Sequence, residues 1–430
     1  MPCATWSTRR RALSTWCSST RPSTRTCSRP PAGCSRSVAG WPATPGSTLR
    51  AKPRPPASAC RTTGACTGKS RPVRCITRCG RGPAEAPSPL ARSWTSPRVP
   101  PMNDAPFRPA WWLPGPHLQT LWGPLCRRPP PLERRRERLW LADGDFLDLD
   151  WHGPDDPRMP LVLVLHGLTG SSRSLYVLGL QQALAARGWA SVALNWRGCS
   201  GEPNRLPRAY HSGASDDLAA TIDHLRRRRP HAPLHAVGYS LGGNVLLKHL
   251  GESGADCALR AAVAVSVPFR LDQCADRIGQ GFSRLYQAHF IRAMRLYVED
   301  KQRWFARLGQ AEHLATLQRL GPLQDLRTFW DFDGRITAPL HGFLDAGDYY
   351  RRASSRYFLA EIRVPTLIVQ AADDPFVFPH SLPRAHELSA GTEFELQPGG
   401  GHVGFVEGPP HRPGLYLERR IPAWLTARAG

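Results

Sequence analysis

The chain has 430 residues and a formal net charge of +23 at pH 7, with 57 Lys and Arg against 34 Asp and Glu. A charge of this size usually indicates nucleic acid or an anionic membrane as a partner. Residues 1–101, however, carry 18 of the basic residues and a single acid, Glu85, which leaves residues 102–430 with a net charge of only +6. The basicity therefore belongs to the N-terminal segment, and the rest of the chain lacks the charge of a nucleic-acid-binding protein.

The N-terminal segment also has an unusual composition. Residues 1–101 contain 8 of the 12 cysteines, 16 prolines and no histidine, and they show no sustained apolar periodicity. Such a segment cannot bury enough apolar surface to offset the loss of chain entropy, so we expect it to be disordered. Its composition is typical of translated GC-rich DNA upstream of a gene or out of frame with it. We therefore expect the natural protein to begin at Met102, with a genuine basic tail as the alternative.

The remaining cysteines and the apolar segments bear on location. The cysteines after Met102 are Cys126, Cys199, Cys257 and Cys274. They show no spacing typical of a disulfide framework, which favours a reducing compartment and a cytoplasmic location. No apolar run is long enough to span a bilayer.

Residues 111–122 are uncharged and rich in aromatic side chains, and we expect them to pack against the domain or line an acyl site, with weak contact to a membrane interface as the alternative.

Apolar runs alternate with amphipathic stretches from residue 139 onward. Strands are predicted at 161–165, 190–196, 234–239, 261–267, 364–370 and 392–396, and helices near 175–187, 215–229, 241–250 and 417–427. The turn signal Asp143-Gly144 predicts a hairpin over 139–151, before the first of these strands. This order predicts an α/β fold with a doubly wound, mostly parallel sheet and an antiparallel start.

One stretch departs from this alternation. Residues from about 268 to 360 have a helical, amphipathic pattern and no evident strand. We expect this insertion to form a helical cap over the functional site. Residues 102–430 would then form one domain with a cap, which is a natural size for this class.

A candidate nucleophile lies where a predicted strand meets a predicted helix. The sequence Gly238-Tyr239-Ser240-Leu241-Gly242 has the G-x-S-x-G pattern of a nucleophile elbow in the strand–turn–helix context that this turn requires. The glycines leave room for a tight, strained turn, and Ser240 would lie at a helix N-terminus, where free N–H groups can stabilise an oxyanion. The sequence therefore predicts Ser240 as a catalytic nucleophile.

A serine hydroxyl needs a base, and the base needs an orienting acid. Asp374 follows the strand at 364–370 directly, which makes it the predicted acid, with the adjacent Asp373 as the alternative. His402 lies among glycines after the last strand, as expected of a general base on a loop. Three other downstream histidines are weaker candidates: His380, His386 and His411.

The strand at 161–165 leads into an H-G-type loop, His166-Gly167-Leu168-Thr169. Loops of this kind donate a backbone N–H to the oxyanion, and the second donor is the N–H after the nucleophile. The predicted oxyanion hole therefore consists of the N–H groups of Leu168 and Leu241. His166 itself is interpreted as a turn residue that helps to hold this loop.

Several motifs occur together in chain order. They are Pro116-His117-Leu118-Gln119-Thr120, the loop 166–174, residues 195–202, Tyr210-His211-Ser212-Gly213, the elbow, Asp348-Tyr349-Tyr350, residues 373–376 and residues 400–405. By these motifs the chain resembles the YheT-type α/β-hydrolases, relatives of the eukaryotic ABHD lipases, from about Phe107 to the C-terminus. The resemblance implies a serine esterase or lipase-like hydrolase with the α/β-hydrolase fold. Its catalytic triad falls on Ser240, Asp374 and His402.

The function expected from these residues is hydrolysis of a small-molecule or lipid acyl ester through an acyl-enzyme, with no metal and no organic cofactor. A thioesterase or an acyltransferase could use the same triad. His211 and Asp216 also fit the H-x4-D pattern of acyltransferases. That pattern is short, and Asp216 is better interpreted as an acid that complements a helix dipole.

Overall fold

The computed structural model describes residues 105–428. The predictions for residues 1–101 and for a start at Met102 lie outside these residues. The strands are β1 (Arg135–Trp140), β2 (Phe146–His152), β3 (Leu161–Leu165), β4 (Ala190–Asn195), β5 (Leu234–Tyr239), β6 (Ala261–Val265), β7 (Thr366–Ala371), β8 (Thr392–Gln397), β9 (Val406–Glu407) and β10 (Gly414–Leu415).

The helices alternate with these strands. They are α1 (Pro116–Cys126), α2 (Leu175–Ala185), α3 (Ser215–Arg228), α4 (Leu241–Ser253), α5 (Leu271–Ile278), α6 (Arg284–Arg307), α7 (Ala311–Gln318), α8 (Phe329–Phe332), α9 (Ala338–His341), α10 (Ala346–Ala353) and α11 (Tyr416–Thr426). Most predicted elements occur within a few residues of their expected bounds. The predicted hairpin is β1 and β2, which pair antiparallel.

The first eight strands form one sheet in the order β1-β2-β4-β3-β5-β6-β7-β8. β2 is antiparallel to β4, and every pairing from β4 to β8 is parallel. The carboxyl ends of β3, β5 and β6 coincide, because Leu165 lies opposite Gly238, which lies opposite Ala264. The loops that follow these strands therefore meet at one edge of the sheet, where the candidate site residues were expected.

The central strands are buried on both faces, and their side chains alternate between two apolar cores. In β3, Leu163 belongs to the core that also contains Leu246 of α4, whereas Val164 belongs to the core that contains Trp424 of α11. Period-2 alternation sends successive side chains to opposite faces, so a run of five apolar residues suits a strand covered by helices on both sides. This layering confirms the predicted α/β fold with a mostly parallel sheet covered by helices on both faces.

Between β6 and β7 the chain is helical, as the sequence pattern predicted for residues 268–360. The longest of these helices, α6, is joined to the sheet domain by Lys301, whose side chain is only 1% exposed. Its ammonium group donates to Asn204 Oδ1 at 2.7 Å, to the Arg208 carbonyl at 2.8 Å and to the Pro207 carbonyl at 3.1 Å. A buried cation stays in place only when its donors are satisfied, so these bonds hold α6 to the loop after β4.

α1 was not predicted as a helix. Its residues are uncharged, it begins at Pro116 in the first turn, and Pro124 lies inside it. Proline is accepted in the first turn because the N–H it lacks would have no partner there, whereas Pro124 weakens the helical pattern. One face of α1 is buried through Gln119, so the expected packing of residues 111–122 against the domain is present for that face.

The approach of α4 to the end of β3 leaves no room for a side chain at Gly242. A Cβ there would lie 2.7 Å from the Leu165 carbonyl oxygen and 2.8 Å from that of His166. We expect Gly242→Ala to lower the free energy of unfolding by about 1–3 kcal/mol, because backbone atoms must move to admit the methyl group. Thermal unfolding of the purified variant measures the loss.

Gly334→Ala is the matched control, because a Cβ at Gly334 meets only the Ala346 Cβ at 3.8 Å, an ordinary contact distance. We expect it to unfold within a few degrees of the parent protein. Equal stability of the two variants would contradict the steric argument for Gly242.

Candidate active site

Ser240 lies in the turn between β5 and α4 in a strained backbone conformation, with φ of 53° and ψ of −118°. A serine rarely adopts a positive φ, and such residues persist only where the surroundings hold them. The Ser240 N–H donates to the Val265 carbonyl at 2.8 Å. A Cβ at Gly238 would lie 2.5 Å from the Gly242 carbonyl oxygen, so the two glycines of the predicted elbow allow the turn to close.

His402 joins the serine to a carboxylate. Its Nε2 lies 2.9 Å from Ser240 Oγ, and its Nδ1 lies 2.9 Å from Asp374 Oδ2 and 3.2 Å from Oδ1. A carboxylate can only accept, so the proton of a neutral His402 belongs on Nδ1. Nε2 is then free to accept the serine hydroxyl proton. The structure therefore brings together the three side chains that the sequence placed on separate loops.

Asp374 is buried, and its charge is met by hydrogen bonds on both oxygens. The Phe376 N–H donates to Oδ1 at 2.9 Å, and the Gln370 amide donates to Oδ2 at 3.1 Å. The Phe376 ring also packs against the His402 imidazole, with ring centroids 4.3 Å apart. These contacts orient the carboxylate toward His402 and leave the imidazole only partly exposed.

Asp373 has a different position from its neighbour. Its Oδ1 accepts from the Gly401 N–H at 2.9 Å, and burial raises its pKa. It therefore holds the glycine loop that carries His402 and does not contact the imidazole in the way that Asp374 does. The three weaker histidine candidates, His380, His386 and His411, are all exposed.

The H-G-type loop lies directly against Ser240. A Cβ at Gly167 would be 3.1 Å from the Ser240 Cβ, so the backbone of this loop passes the serine at close range. Leu241 is the first residue of α4, and the first N–H groups of a helix have no intrahelical partner. The two backbone groups predicted as oxyanion donors, those of Leu168 and Leu241, therefore belong to segments that flank the hydroxyl.

Tyrosine hydroxyls hold the same loop in place. Tyr176 accepts from the Gly167 N–H at 3.0 Å, and Tyr210 accepts from the Thr169 N–H at 2.9 Å. Thr169 also has a positive φ of 55°, a conformation that needs such support. The sequence analysis quoted Tyr210 within a motif but gave it no role.

His166 is buried and structural. The Trp196 N–H donates to its Nε2 at 3.3 Å, and its Nδ1 lies 2.8 Å from the Gly167 carbonyl, so the ring is a neutral imidazole with the proton on Nδ1. Burial lowers its pKa to about 4, which agrees with this state. The interpretation of His166 as a residue that holds the loop fits these contacts.

The loop that carries His402 is also held by α1, which the sequence analysis did not anticipate. Thr120 Oγ1 accepts from the His402 N–H at 2.9 Å and donates to the Pro116 carbonyl at 2.7 Å. The Gln119 side chain exchanges two hydrogen bonds with the backbone of Val406, at 2.8 and 3.1 Å. Thr120 belongs to the motif Pro116-His117-Leu118-Gln119-Thr120, but its hydrogen-bond partner, His402, lies some 280 residues away along the chain.

His211 and Asp216, the fixed positions of the acyltransferase pattern, line one cavity, but their described hydrogen bonds go to other residues. Asp216 is exposed in the first turn of α3 and pairs with Arg208 at 3.1 Å. His211 accepts from the Gly213 N–H and packs against the rings of His341 and Phe343. Asp216 therefore behaves as the helix-start acid that the sequence analysis preferred.

Residues 105–428 contain no group of three or more His, Cys, Asp and Glu side chains placed to hold a metal ion. None of the helices in this part of the chain combines the length and apolar character that crossing a bilayer requires.

Comparison with known proteins shows the family of the chain. A family model described as the alpha/beta hydrolase fold matches residues 160–409. The Escherichia coli (strain K12) protein YheT, named as an esterase, is 42% identical over 313 residues, which cover 72% of this chain and 90% of the relative. The human phospholipase ABHD3 is 29% identical over 330 residues, 75% of this chain and 78% of that protein.

Among solved structures, an esterase from Pyrococcus furiosus overlays with a TM-score of 0.45 at 16% identity, covering 70% of this chain and 92% of that one. The family model and the bacterial relative both span well over half of the chain. The chain therefore belongs to the α/β-hydrolase fold family and, within it, to the YheT-type hydrolases that its motifs predicted.

Proposed function

We propose that this protein hydrolyses carboxylic acyl esters through an acyl-enzyme formed on Ser240, with His402 as general base and acid and Asp374 as the orienting carboxylate. The observation that carries the proposal is the continuous hydrogen-bonded path from Ser240 Oγ through His402 to Asp374. The class of the enzyme, a carboxylic ester hydrolase of lipase-like kind, follows from its family. The proposal adds the residues and the steps.

In the first half of the reaction, His402 Nε2 takes the proton from Ser240 as the oxygen attacks the ester carbonyl. The imidazolium that forms lies against the buried Asp374 carboxylate, which stabilises its charge and keeps the ring oriented. His402 then gives the proton to the departing alcohol. The acyl group remains on Ser240 as an ester.

The second half repeats these roles with water. His402 takes a proton from water, the hydroxide attacks the acyl-enzyme, and the proton returns to Ser240 as the acid product leaves. In both halves the negative charge develops on the former carbonyl oxygen. The N–H groups of Leu168 and Leu241 flank Ser240 and would stabilise that oxygen.

All of these groups belong to the chain itself, so the mechanism assigns no step to a metal or a cofactor. The relatives are named as an esterase and as phospholipases, which supports small-molecule or lipid acyl esters as substrates. An acyltransferase or a thioesterase would use the same residues. His211 and Asp216 line a shared cavity, but their described hydrogen bonds go to Gly213 and Arg208 and not to each other, which does not favour the acyltransferase.

A fluorophosphonate probe tests the nucleophile directly. We expect the protein to label covalently, Ser240→Ala not to label, and His402→Ala to label at least a thousandfold more slowly, since loss of a triad member removes about 10⁴–10⁶-fold of the rate in serine hydrolases. Labelling is measured as a mass shift over time. Failure of well-folded parent protein to label would overturn the proposal, and labelling that survives Ser240→Ala would mean a different nucleophile.

The two adjacent carboxylates provide a matched pair. We expect Asp374→Asn to lower kcat for a short soluble ester by about 10⁴-fold, because the amide favours the wrong imidazole tautomer. Asp373→Asn should retain far more activity, since Asp373 contacts Gly401 and not the imidazole. Equal losses in the two variants, or a larger loss in Asp373→Asn, would contradict the assignment of the acid.

Thr120 offers a test of how the His402 loop is positioned. We expect Thr120→Val to lower kcat by about tenfold with little change in KM, because an unsatisfied His402 N–H costs about 1–3 kcal/mol and loosens the base. Thr120→Ser keeps the hydroxyl and is the control, with activity near that of the parent. Full activity in Thr120→Val would show that α1 does not position His402.

A further inference from the structure

Three exposed apolar side chains lie where α1 meets the start of α6. Leu118 of α1 is 46% exposed, Phe282 is 49% exposed and Leu285 is 61% exposed. The two segments are in contact, because the His117 ring lies 4.4 Å from the Phe282 ring and His117 Nδ1 lies 3.3 Å from the Tyr286 hydroxyl. We call Leu118, Phe282 and Leu285 the entrance rim.

The entrance rim is connected to the candidate active site by a continuous row of rings. From the His402 imidazole the Phe376 ring is 4.3 Å away, the Tyr286 ring is 5.0 Å beyond Phe376, and Phe282 is 6.0 Å beyond Tyr286. Each step is an ordinary aromatic contact distance. Phe282 of the entrance rim is therefore the outer end of a row of rings that reaches His402.

Basic residues lie near the entrance rim. Residues 284–298, the first part of α6, contain Arg284, Arg292 and Arg295 and no acid, and α1 contains no charged residue. The pKa of the His117 imidazole is lowered by burial and by Arg277, and it is raised by the Asp373 carboxylate.

One acid of α5 is neutralised by an ion pair. Asp272 pairs with Arg270 at 2.6 Å, whereas Asp276 accepts a hydrogen bond from the neutral Trp330 indole at 2.9 Å and keeps its charge. The arginines of α6 and Arg277 outnumber the carboxylates of Asp276 and Asp373, so the surface beside the rim is net positive. Exposed apolar side chains on a net positive surface match a surface that is apolar beneath an anionic layer.

We propose that the entrance rim docks the enzyme onto an anionic lipid bilayer, so that acyl chains reach Ser240 from the lipid along the wall of rings. The docking step stands on the exposed residues and their charges alone. The delivery step rests on the proposed function. The inference narrows the substrate class to acyl esters held in a lipid surface, since a monomeric ester in water would gain nothing from this rim.

Vesicle binding tests the docking step with the full chain carrying Ser240→Ala, so that no turnover alters the lipid. Phosphatidylglycerol–phosphatidylcholine vesicles are compared with phosphatidylcholine vesicles at 0.5 M NaCl, which screens the basic residues 1–101 that every variant shares. We expect the double variant Leu118→Asp, Leu285→Asp to bind phosphatidylglycerol vesicles at least tenfold more weakly. Leu308→Asp, at the far end of α6 and 51% exposed, should bind as the parent does.

A second variant tests whether docking requires the positive charge beside the rim. We expect Arg284→Glu with Arg292→Glu to bind phosphatidylglycerol vesicles more weakly than the parent at the same low salt, where residues 1–101 attract both proteins equally, and to bind pure phosphatidylcholine vesicles as the parent does. Equal binding of the parent and the Leu118→Asp, Leu285→Asp variant would overturn the proposal. A parent protein that does not bind vesicles would also overturn it. If sedimentation without lipid then showed a dimeric parent and a monomeric Leu118→Asp, Leu285→Asp variant, the rim would instead bind a second copy of the chain.

Activity separates this inference from the proposed function. With Ser240 intact, we expect the Leu118→Asp, Leu285→Asp variant to hydrolyse a short soluble ester at the parent rate and a long-chain ester embedded in vesicles at least tenfold more slowly. If parent and variant hydrolyse the embedded ester equally, the docking proposal fails while the ester hydrolase mechanism stands. If the parent hydrolyses neither ester, the proposed function and the delivery step fail, and the vesicle-binding comparison alone decides docking.

Discussion

The first turn of α4 packs against the end of β3 so closely that a Cβ at Gly242 would lie 2.7 Å from the Leu165 carbonyl oxygen. This approach forces the chain between β5 and α4 into a tight turn, and it explains why Ser240 has a φ of 53°. It also places the loop after β3 beside the serine, with Gly167 in near contact with it. One steric condition therefore brings the hydroxyl, a helix N-terminus and the H-G-type loop to the same point.

The base is held by contacts from distant parts of the chain. The His402 N–H is satisfied by Thr120 of α1, the Gly401 N–H by Asp373, and the Val403 N–H by Ser266 Oγ at 3.0 Å. Val403 has a positive φ of 62°, so the loop is strained and needs these partners. A loop rich in glycine can reach Ser240 without clashes, but its position depends on hydrogen bonds that the loop cannot make with itself.

A buried lysine is one of the side chains that couple the helical segment after β6 to the loop beside the serine. Lys301 holds the carbonyls of Pro207 and Arg208, and two residues further on Tyr210 accepts the hydrogen bond of Thr169. Burial lowers the pKa of Lys301 to about 7, and the nearby Asp145 carboxylate opposes this effect. A displacement of α6 would therefore shift the H-G-type loop through two hydrogen-bonded steps. The N-terminal end of α6 contributes Leu285 to the entrance rim.

The sequence by itself determined the alternation of strands and helices and the position of the G-x-S-x-G turn. These are local signals, because a strand buried on both faces is a continuous apolar run and a tight turn needs its glycines within a few residues. Only the tertiary structure decided that Asp374 and not Asp373 contacts His402, and that α1 supports the histidine loop. The adjacent aspartates have nearly the same local context, and Thr120 and His402 are some 280 residues apart, so only the folded chain brings each side chain to its partner.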